Sequence, residues 1–355
     1  MSRPIRLSLV PPHIGVLPHG LRNAITDVAG VTVGHHTLDA GDVQTGVTVV
    51  RPHAGDLFRD RVPAAAVVIN GFGKSVGLVQ LEELGLLETP IALTNTFSVA
   101  TMVTAQIRQC IGVNPETGRS LSTVNPLVFE CNDGFLNDIQ RMAITEQHYL
   151  QASEQAGVEV EEGSVGAGRG MSSFGLKGGI GTASRRVASA GAAEYTIGAL
   201  VLANCGRLPQ LVLAGQALGA RLAAQGHDTK AAPEPEKGSI ILLIATDAPL
   251  DARQLRRLAL RAGAGLARTG SVFGHGSGDI ALAFSTAYTV PQDAERPMPT
   301  IAMLHDGLVD PLFQAVADST EQAIIHALWR ARAVTGRDGH YRDALADLLP
   351  GWPLG

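Results

Sequence analysis

The sharpest change from polar to apolar positions along the chain lies at residues 237–240. Residues 227–237 carry two prolines and five charged side chains but no large apolar one, which predicts an exposed loop. Ile240 to Ala245 is an unbroken apolar run of strand length, closed by the turn-forming residues 247–249. Such a run predicts a strand covered on both faces, so Ser239 is the last polar residue before the core.

Similar runs predict strands and helices in both halves of the chain. Strands are expected within 20–35, at 45–50, 64–70, 91–95, 125–130, 195–203 and 280–285. Helical spacing is found at 78–87, 211–224, 251–266, 314–334 and 343–349. A further helix is expected to run through Ile111, with Ala100, Val103, Ile107 and Ile111 on one face. Strands and amphipathic helices alternate on both sides of the exposed loop, which favours a single layered domain over residues 1–355.

Composition narrows the class of protein. The chain has 355 residues, 45% of them hydrophobic, so a large core is possible. A net charge of -5 without a basic tract argues against nucleic acid as a partner. The chain has no run of membrane-spanning length and three scattered cysteines, so we expect a protein of the cytoplasm that does not enter the membrane.

Several motifs are incomplete. The Gly-Lys-Ser at 73–75 lacks the first glycine of a phosphate loop, because position 68 is valine. Glycines 166, 168 and 170 do not have dinucleotide-binding spacing, and residues 275–279 are not a hydrolase nucleophile elbow. The histidines lack metal-ligand spacing, so we predict neither a metal nor a cofactor.

The Gly238-Ser239 pair allows two interpretations. In the first, glycine relieves the backbone where the strand starts and the serine faces water. In the second, the Ser239 hydroxyl attacks the Gly238 carbonyl, and hydrolysis of the ester frees Ser239 as a new N-terminus. The freed α-amine, with a reference pKa of about 7.7 to 8.0, would then serve as the base for its own hydroxyl.

The stretch Gly238-Ser239-Ile240-Ile241 with Ala245-Thr246-Asp247-Ala248-Pro249-Leu250 resembles the self-processing serine aminopeptidases of the DmpA type. These are the L-aminopeptidase/D-esterases and β-peptidyl aminopeptidases, and the resemblance covers most of the chain. It implies self-cleavage at Gly238-Ser239 into an α-chain (1–238) and a β-chain (239–355). It also implies a four-layer α/β/β/α sandwich like that of the N-terminal-nucleophile hydrolases but differently connected.

The same resemblance assigns roles to residues elsewhere. Ser239 is the nucleophile, Glu130 binds the ammonium group of the substrate, and Asn204 donates to the oxyanion. Ser277 and Asp279 are the polar partners of Ser239. Side chains two residues apart on an extended segment point to the same side of it. From the residues alone, a strand-end carboxylate, a turn-capping asparagine and a capped glycine turn explain Glu130, Asn204 and the 277–279 segment equally well.

The chain departs from the family pattern at three places. Phe97 stands where the family commonly has histidine, and Lys74 lies where an acidic residue is common. The helper tyrosine near Glu130 has no counterpart, since Asn132 and Phe135 occupy that neighbourhood. We expect the first two departures to alter the substrate pocket.

The resemblance therefore predicts a serine aminopeptidase that acts on short peptides, amino-acid amides or esters, as a homotetramer of αβ heterodimers. It leaves L-, D- and β-aminoacyl substrates open. Two alternatives are an acyltransferase of the ornithine acetyltransferase type, although those use threonine as nucleophile, and a catalytically silent scaffold protein.

Overall fold

The computed structural model describes residues 10–188, 194–227 and 238–349. Its strands are β1 (Thr32–Ala40), β2 (Val43–Arg51), β3 (Asp60–Gly71), β4 (Leu86–Leu87), β5 (Ile91–Asn95), β6 (Leu127–Cys131), β7 (Ser172–Ser173), β8 (Leu176–Lys177), β9 (Gly179–Ala188), β10 (Glu194–Asn204), β11 (Ser239–Thr246), β12 (Gly278–Ser285), β13 (Val290–Pro291), β14 (Val334–Thr335) and β15 (Tyr341–Arg342). Its α-helices are α1 (Leu78–Leu84), α2 (Val99–Val113), α3 (Glu146–Glu154), α4 (Leu218–Ala224), α5 (Ala252–Arg268), α6 (Asp310–Trp329) and α7 (Leu345–Leu348).

Two sheets lie between two layers of helices. The large sheet has the strand order β13-β3-β12-β11-β10-β9, and the small sheet has the order β1-β2-β5-β6. Helices α5 and α6 cover the outer face of the large sheet, while α2 and α3 cover that of the small sheet. A third apolar cluster fills the space between the sheets. The predicted four-layer α/β/β/α sandwich is confirmed.

Strand β11 shows why its apolar run is unbroken. Ile240, Leu242 and Ile244 pack toward the helices, whereas Ile241, Leu243 and Ala245 pack toward the small sheet. Every residue of the strand is buried, because both faces of the large sheet are covered. Ser239 shares the alternation of Ile241, so its side chain projects into the space between the sheets.

The connections bring the ends of β5 and β6 close to the starts of β11 and β12. Strands β5 and β6 run parallel and are joined through α2, and β11 and β12 run parallel and are joined through α5. The sheets meet where β6 ends and β11 begins, since the Cys131 thiol donates a hydrogen bond to the backbone oxygen of Ser239 at 3.3 Å. The candidate site lies at this junction.

Some predicted helices are shorter than their spacing indicated. The 78–87 helix stops at Gly85, whose φ of 67° is left-handed, and the chain continues as β4. The 211–224 helix is present only as α4, because Ala214 and Gly215 have positive φ angles in a turn. The 314–334 and 343–349 helices appear as α6 and α7, which end at Trp329 and Leu348.

The apolar face predicted for α2 is wrong. Its buried residues are Val99, Met102, Ala105 and Gln106, whereas Ala100 and Ile111 are exposed. Ala100 and Val103 line an open groove, and Val103 also packs against the core beneath α2. By contrast, α5 has the predicted stripe and the predicted cap, in which the Asp251 carboxylate accepts from Gln254 N–H.

Helices long and apolar enough to cross a bilayer are absent from the described part of the chain.

Candidate active site

Ser239 begins β11 in the middle of the large sheet. It pairs in register with Asn204 at the end of β10 and with Gly278 at the start of β12. Its side chain is buried, and its hydroxyl oxygen accepts a hydrogen bond from Gly278 N–H at 3.1 Å. The structure therefore holds this hydroxyl at a defined place between two strands rather than in open water.

The residue before Ser239 must be glycine. A Cβ at position 238 would lie 2.2 Å from the backbone oxygen of Asn204 and 2.8 Å from the Cα of Cys205. Such contacts are far inside van der Waals distance, so no other residue fits without moving the end of β10. The Gly238-Ser239 bond is thereby held against the strand that ends with Asn204.

The Asn204 side chain is fixed by two backbone contacts. Its Oδ1 accepts from Ser172 N–H at 2.8 Å, and its Nδ2 donates to the backbone oxygen of Asn132 at 3.0 Å. These opposite contacts settle which end of the amide is the donor. An amide nitrogen has two hydrogens, so one remains to donate beside Ser239.

A buried lysine holds the loop that supplies Ser172. The Lys177 ammonium donates to the backbone oxygens of Gly168, Met171 and Gly178 at 2.8 to 2.9 Å. Burial lowers the pKa of this group well below its usual value. The three carbonyls compensate the desolvation and fix the glycine-rich segment, which thus supports the amide of Asn204.

Ser277 and Asp279 flank Gly278 and are both fully buried. The Ser277 hydroxyl donates to Oδ1 of Asp279 at 2.5 Å. The hydroxyl of Ser239 accepts a hydrogen bond from the backbone N–H of Gly278, the residue between them. The pair is therefore adjacent to Ser239 and linked to it through Gly278.

Asn70, at the end of β3, holds the segment that leads to Ser277. Its Nδ2 lies 3.0 Å from the backbone oxygen of Gly274, 3.3 Å from that of His275, and in close contact with that of Ser277. His275 itself is exposed, consistent with its interpretation as a loop residue.

Glu130 is buried at the end of β6. Its Oε1 accepts from Lys74 N–H at 2.8 Å, and its Oε2 accepts from the Thr96 hydroxyl. A carboxylate accepts about four hydrogen bonds, so acceptor capacity remains for a ligand. A Cβ at Gly73 would lie 3.6 Å both from Oε1 and from the Cα of Gly278. The carboxylate is therefore close to the start of β12.

An open groove of about 730 Å³ adjoins Glu130. It is lined by Lys74, Val76, Thr96, Phe97, Val99, Ala100, Val103, Thr104 and Met142. Two of the departures noted in the sequence, Phe97 and Lys74, thus lie in the same groove. A smaller cavity of about 290 Å³, between the N-terminal segment and α6, contains none of the predicted site residues.

Two buried titratable groups, Cys131 and Asp133, lie near the site. Burial, with the nearby carboxylates of Glu130 and Asp279, raises the pKa of the Cys131 thiol well above its usual value, so it stays protonated and donates to Ser239. Burial also raises the pKa of Asp133 to about 6, although the Asn137 amide donates to its Oδ1 at 3.0 Å.

We expect Asp133→Asn to stabilise the protein at alkaline pH. The unfolded residue titrates near pH 4, whereas the folded state keeps the proton on Asp133 up to about pH 6. The stability that this group contributes is therefore complete below about pH 4 and is lost as the pH rises from about 4 to about 6. The neutral amide should add about 3 kcal/mol at pH 8 and about 1 kcal/mol at pH 4.5. Urea unfolding at both pH values measures this.

The exposed Asp39→Asn is the matched control. An equal effect of Asp133→Asn at both pH values would contradict the interpretation.

Sequence reasoning missed several residues that position the site. Thr96 contacts Glu130 because β5 and β6 are parallel neighbours that end at one edge, a proximity that the predicted helix between them could have indicated. Asn132 and Ser172 act through backbone atoms, which leave no residue-type signal. Among the described residues, no cluster of three or more His, Cys, Asp or Glu side chains could hold a metal ion.

A family match and a similar known protein both indicate a peptidase. Residues 23–342 match the family described as Peptidase family S58. The chain is 39% identical over 338 residues to the β-peptidyl aminopeptidase BapA of Sphingosinicella xenopeptidilytica, covering 89% of this chain and 83% of that protein.

Two solved structures have similar folds. The PH0078 protein of Pyrococcus horikoshii OT3 has a TM-score of 0.87 and 48% identity, over 94% of each chain. The L-aminopeptidase D-Ala-esterase/amidase of Ochrobactrum anthropi, described as a prototype of the serine aminopeptidases and a variant of the Ntn hydrolase fold, has a TM-score of 0.85 and 34% identity, over 94% of this chain and 93% of that one.

Proposed function

The chain belongs to peptidase family S58 and is a serine aminopeptidase with an N-terminal-nucleophile hydrolase fold, and from this premise we propose that it matures by cleaving its own Gly238-Ser239 bond. The observation that carries the proposal is the position of Ser239. Its hydroxyl is buried between β10 and β12, and the preceding residue fits only as glycine.

The proposed maturation has two steps. The Ser239 hydroxyl adds to the Gly238 carbonyl and the C–N bond breaks, so that the acyl group moves from nitrogen to oxygen and the nitrogen takes up a proton. Water then hydrolyses the ester, which releases the Gly238 carboxylate and restores the hydroxyl. The products are an α-chain of residues 1–238 and a β-chain of residues 239–355, both within one fold.

In the proposed reaction, the new α-amine accepts the proton of its own hydroxyl as the oxygen attacks the substrate carbonyl. Glu130 binds the substrate ammonium, which places the scissile carbonyl of an N-terminal residue near Ser239. The free N–H of Asn204 donates to the oxyanion. Ser277 and Asp279 orient the nucleophile through Gly278. The scissile bond breaks as the leaving amine or alcohol takes the proton from the α-ammonium, and water then hydrolyses the ester of Ser239.

The experiment that tests maturation is denaturing mass spectrometry of the purified protein, followed by hydrolysis of aminoacyl p-nitroanilides. The expected masses correspond to residues 1–238 and 239–355. A continuous chain that still hydrolyses these substrates would contradict the proposal. Since similar proteins are named for β-peptidyl and for L- and D-Ala substrates, the panel should contain L-, D- and β-aminoacyl compounds.

We expect Asn204→Ala to lower kcat about a hundredfold, because a preorganised oxyanion donor contributes roughly 3 kcal/mol to the barrier. KM should change little, since the donor acts mainly in the transition state. Steady-state kinetics on the best p-nitroanilide measures both. Asn125→Ala is the matched control: that side chain donates to the backbone oxygen of Gly77 and contacts no predicted catalytic residue. A change in KM alone would contradict the oxyanion role.

For assembly and location, we propose a cytoplasmic homotetramer of αβ heterodimers that acts on short peptides, amides or esters. Family membership supports it, and light scattering of the purified protein checks the mass of the assembly.

A further inference from the structure

We propose that Lys74 binds a carboxylate group of the substrate, so that this enzyme prefers zwitterionic substrates. Such a substrate carries a free N-terminal ammonium and a carboxylate a short distance away. The inference rests on the proposed function, because it takes Glu130 as the residue that receives the ammonium.

The backbone of Lys74 is anchored at the ammonium site. Its N–H donates to Oε1 of Glu130 at 2.8 Å, so main chain and carboxylate are in direct contact. The residue also lines the groove, and its ammonium lies over the ring of Phe72. The cation of Lys74 therefore lies at the rim of the space that a substrate bound to Glu130 would enter.

The Lys74 ammonium is positioned but not neutralised. It lies 4.2 Å from the centre of the Phe72 ring, a cation–π contact. None of the ion pairs within residues 10–188, 194–227 and 238–349 involves Lys74. Phe72 N–H in turn donates to the backbone oxygen of Ser277 at 3.3 Å. The cation thus lies over the ring of a residue whose backbone contacts the segment that carries Ser277.

The charges of the groove favour a zwitterion. Among the described residues that line it, Lys74 alone is charged, and the other side chains are apolar or threonine. A substrate with an ammonium alone would place a second cation next to Lys74, which is unfavourable. A substrate with a carboxylate compensates that charge while its ammonium compensates Glu130.

The carboxylate has two possible sources, which the experiment separates. In the first arm, dipeptides X-Ala and their neutral amides X-Ala-NH2 are compared, where X is the residue hydrolysed fastest as a p-nitroanilide. In the second arm, p-nitroanilides of aspartate and glutamate are compared with those of asparagine and glutamine. Each pair is measured with wild type, Lys74→Met, Lys74→Arg and Lys74→Glu.

The readout is the ratio of kcat/KM for the charged and the neutral member of each pair. Because the ratio is taken within one variant, a general effect of the substitution on folding or maturation cancels. In the arm whose carboxylate reaches Lys74, wild type and Lys74→Arg should favour the charged member about fivefold. This preference should weaken at high salt. The ratio should fall to about one in Lys74→Met and below one in Lys74→Glu.

The exposed Arg119→Met, which removes a charge elsewhere, should retain the wild-type ratio. Equal rates for both members of every pair in wild type, or an unchanged preference in Lys74→Met, would overturn the inference and leave the aminopeptidase mechanism intact. A wild type that cleaves none of the compounds would count against the proposed mechanism and this inference together.

Discussion

Ser239→Ala should give a single uncut chain whose hydrolysis of aminoacyl p-nitroanilides falls below about a thousandth of the wild-type rate. The substitution removes the oxygen that would attack Gly238 and later the substrate, so maturation and catalysis should be lost together. The fold should survive, because the hydroxyl makes one hydrogen bond, from Gly278 N–H, in a position where alanine fits. Denaturing mass spectrometry and the hydrolysis assay measure the two losses on one sample.

Two variants serve as controls for this result. Ser239→Thr keeps a hydroxyl and should retain slow cleavage, and Ser120→Ala removes an exposed hydroxyl that bonds to Glu116 and should be cut normally. Cleavage at the same bond in Ser239→Ala, or full activity in an uncut wild type, would refute the mechanism.

Glu130→Gln should lower kcat/KM about a thousandfold while the chain still cleaves itself. The substrate ammonium must leave water to enter the site, and an unpaired buried charge costs about 3 to 5 kcal/mol. The amide can keep the contacts with Lys74 N–H and the Thr96 hydroxyl, because that hydroxyl both donates and accepts. Intact mass and steady-state kinetics measure maturation and hydrolysis separately.

A substrate that lacks the amino group is the control for Glu130. Wild type should hydrolyse it far more slowly than the parent compound, whereas Glu130→Gln should hydrolyse both at similar rates. If the variant still favours the amino compound as strongly as wild type, another residue binds the ammonium.

The sequence predicted strands β3, β10, β11 and β12 of the large sheet, because their signal is local, but it did not indicate β9 or β13. In β11 the apolar run is continuous since both faces are covered, and at Asp251 a helix cap has its own residue type. The aminopeptidase family and the four-layer fold are likewise confirmed. The roles of Ser239, Glu130, Asn204, Ser277 and Asp279 stay predictions that the experiments above address.

Other features depend on tertiary contacts and could not be read from one sequence. The apolar stripe of α2 is amphipathic in pattern, yet Ala100 and Ile111 are exposed and only part of the stripe, including Val103, packs against the core. The link from Gly278 to Ser239 and the supports of Asn204 use backbone groups, which every residue type supplies.

The strand order of the large sheet has a consequence for the durability of the enzyme. Strands β11 and β12 come from the segment after Gly238, and they lie between β3 and β10, which come from the segment before it. If that bond is cleaved as proposed, the two polypeptides would remain interleaved and would separate only when the shared sheet opens. Refolding would then require two molecules to meet instead of one chain to collapse, so the mature enzyme would persist through slow dissociation rather than through reversible folding.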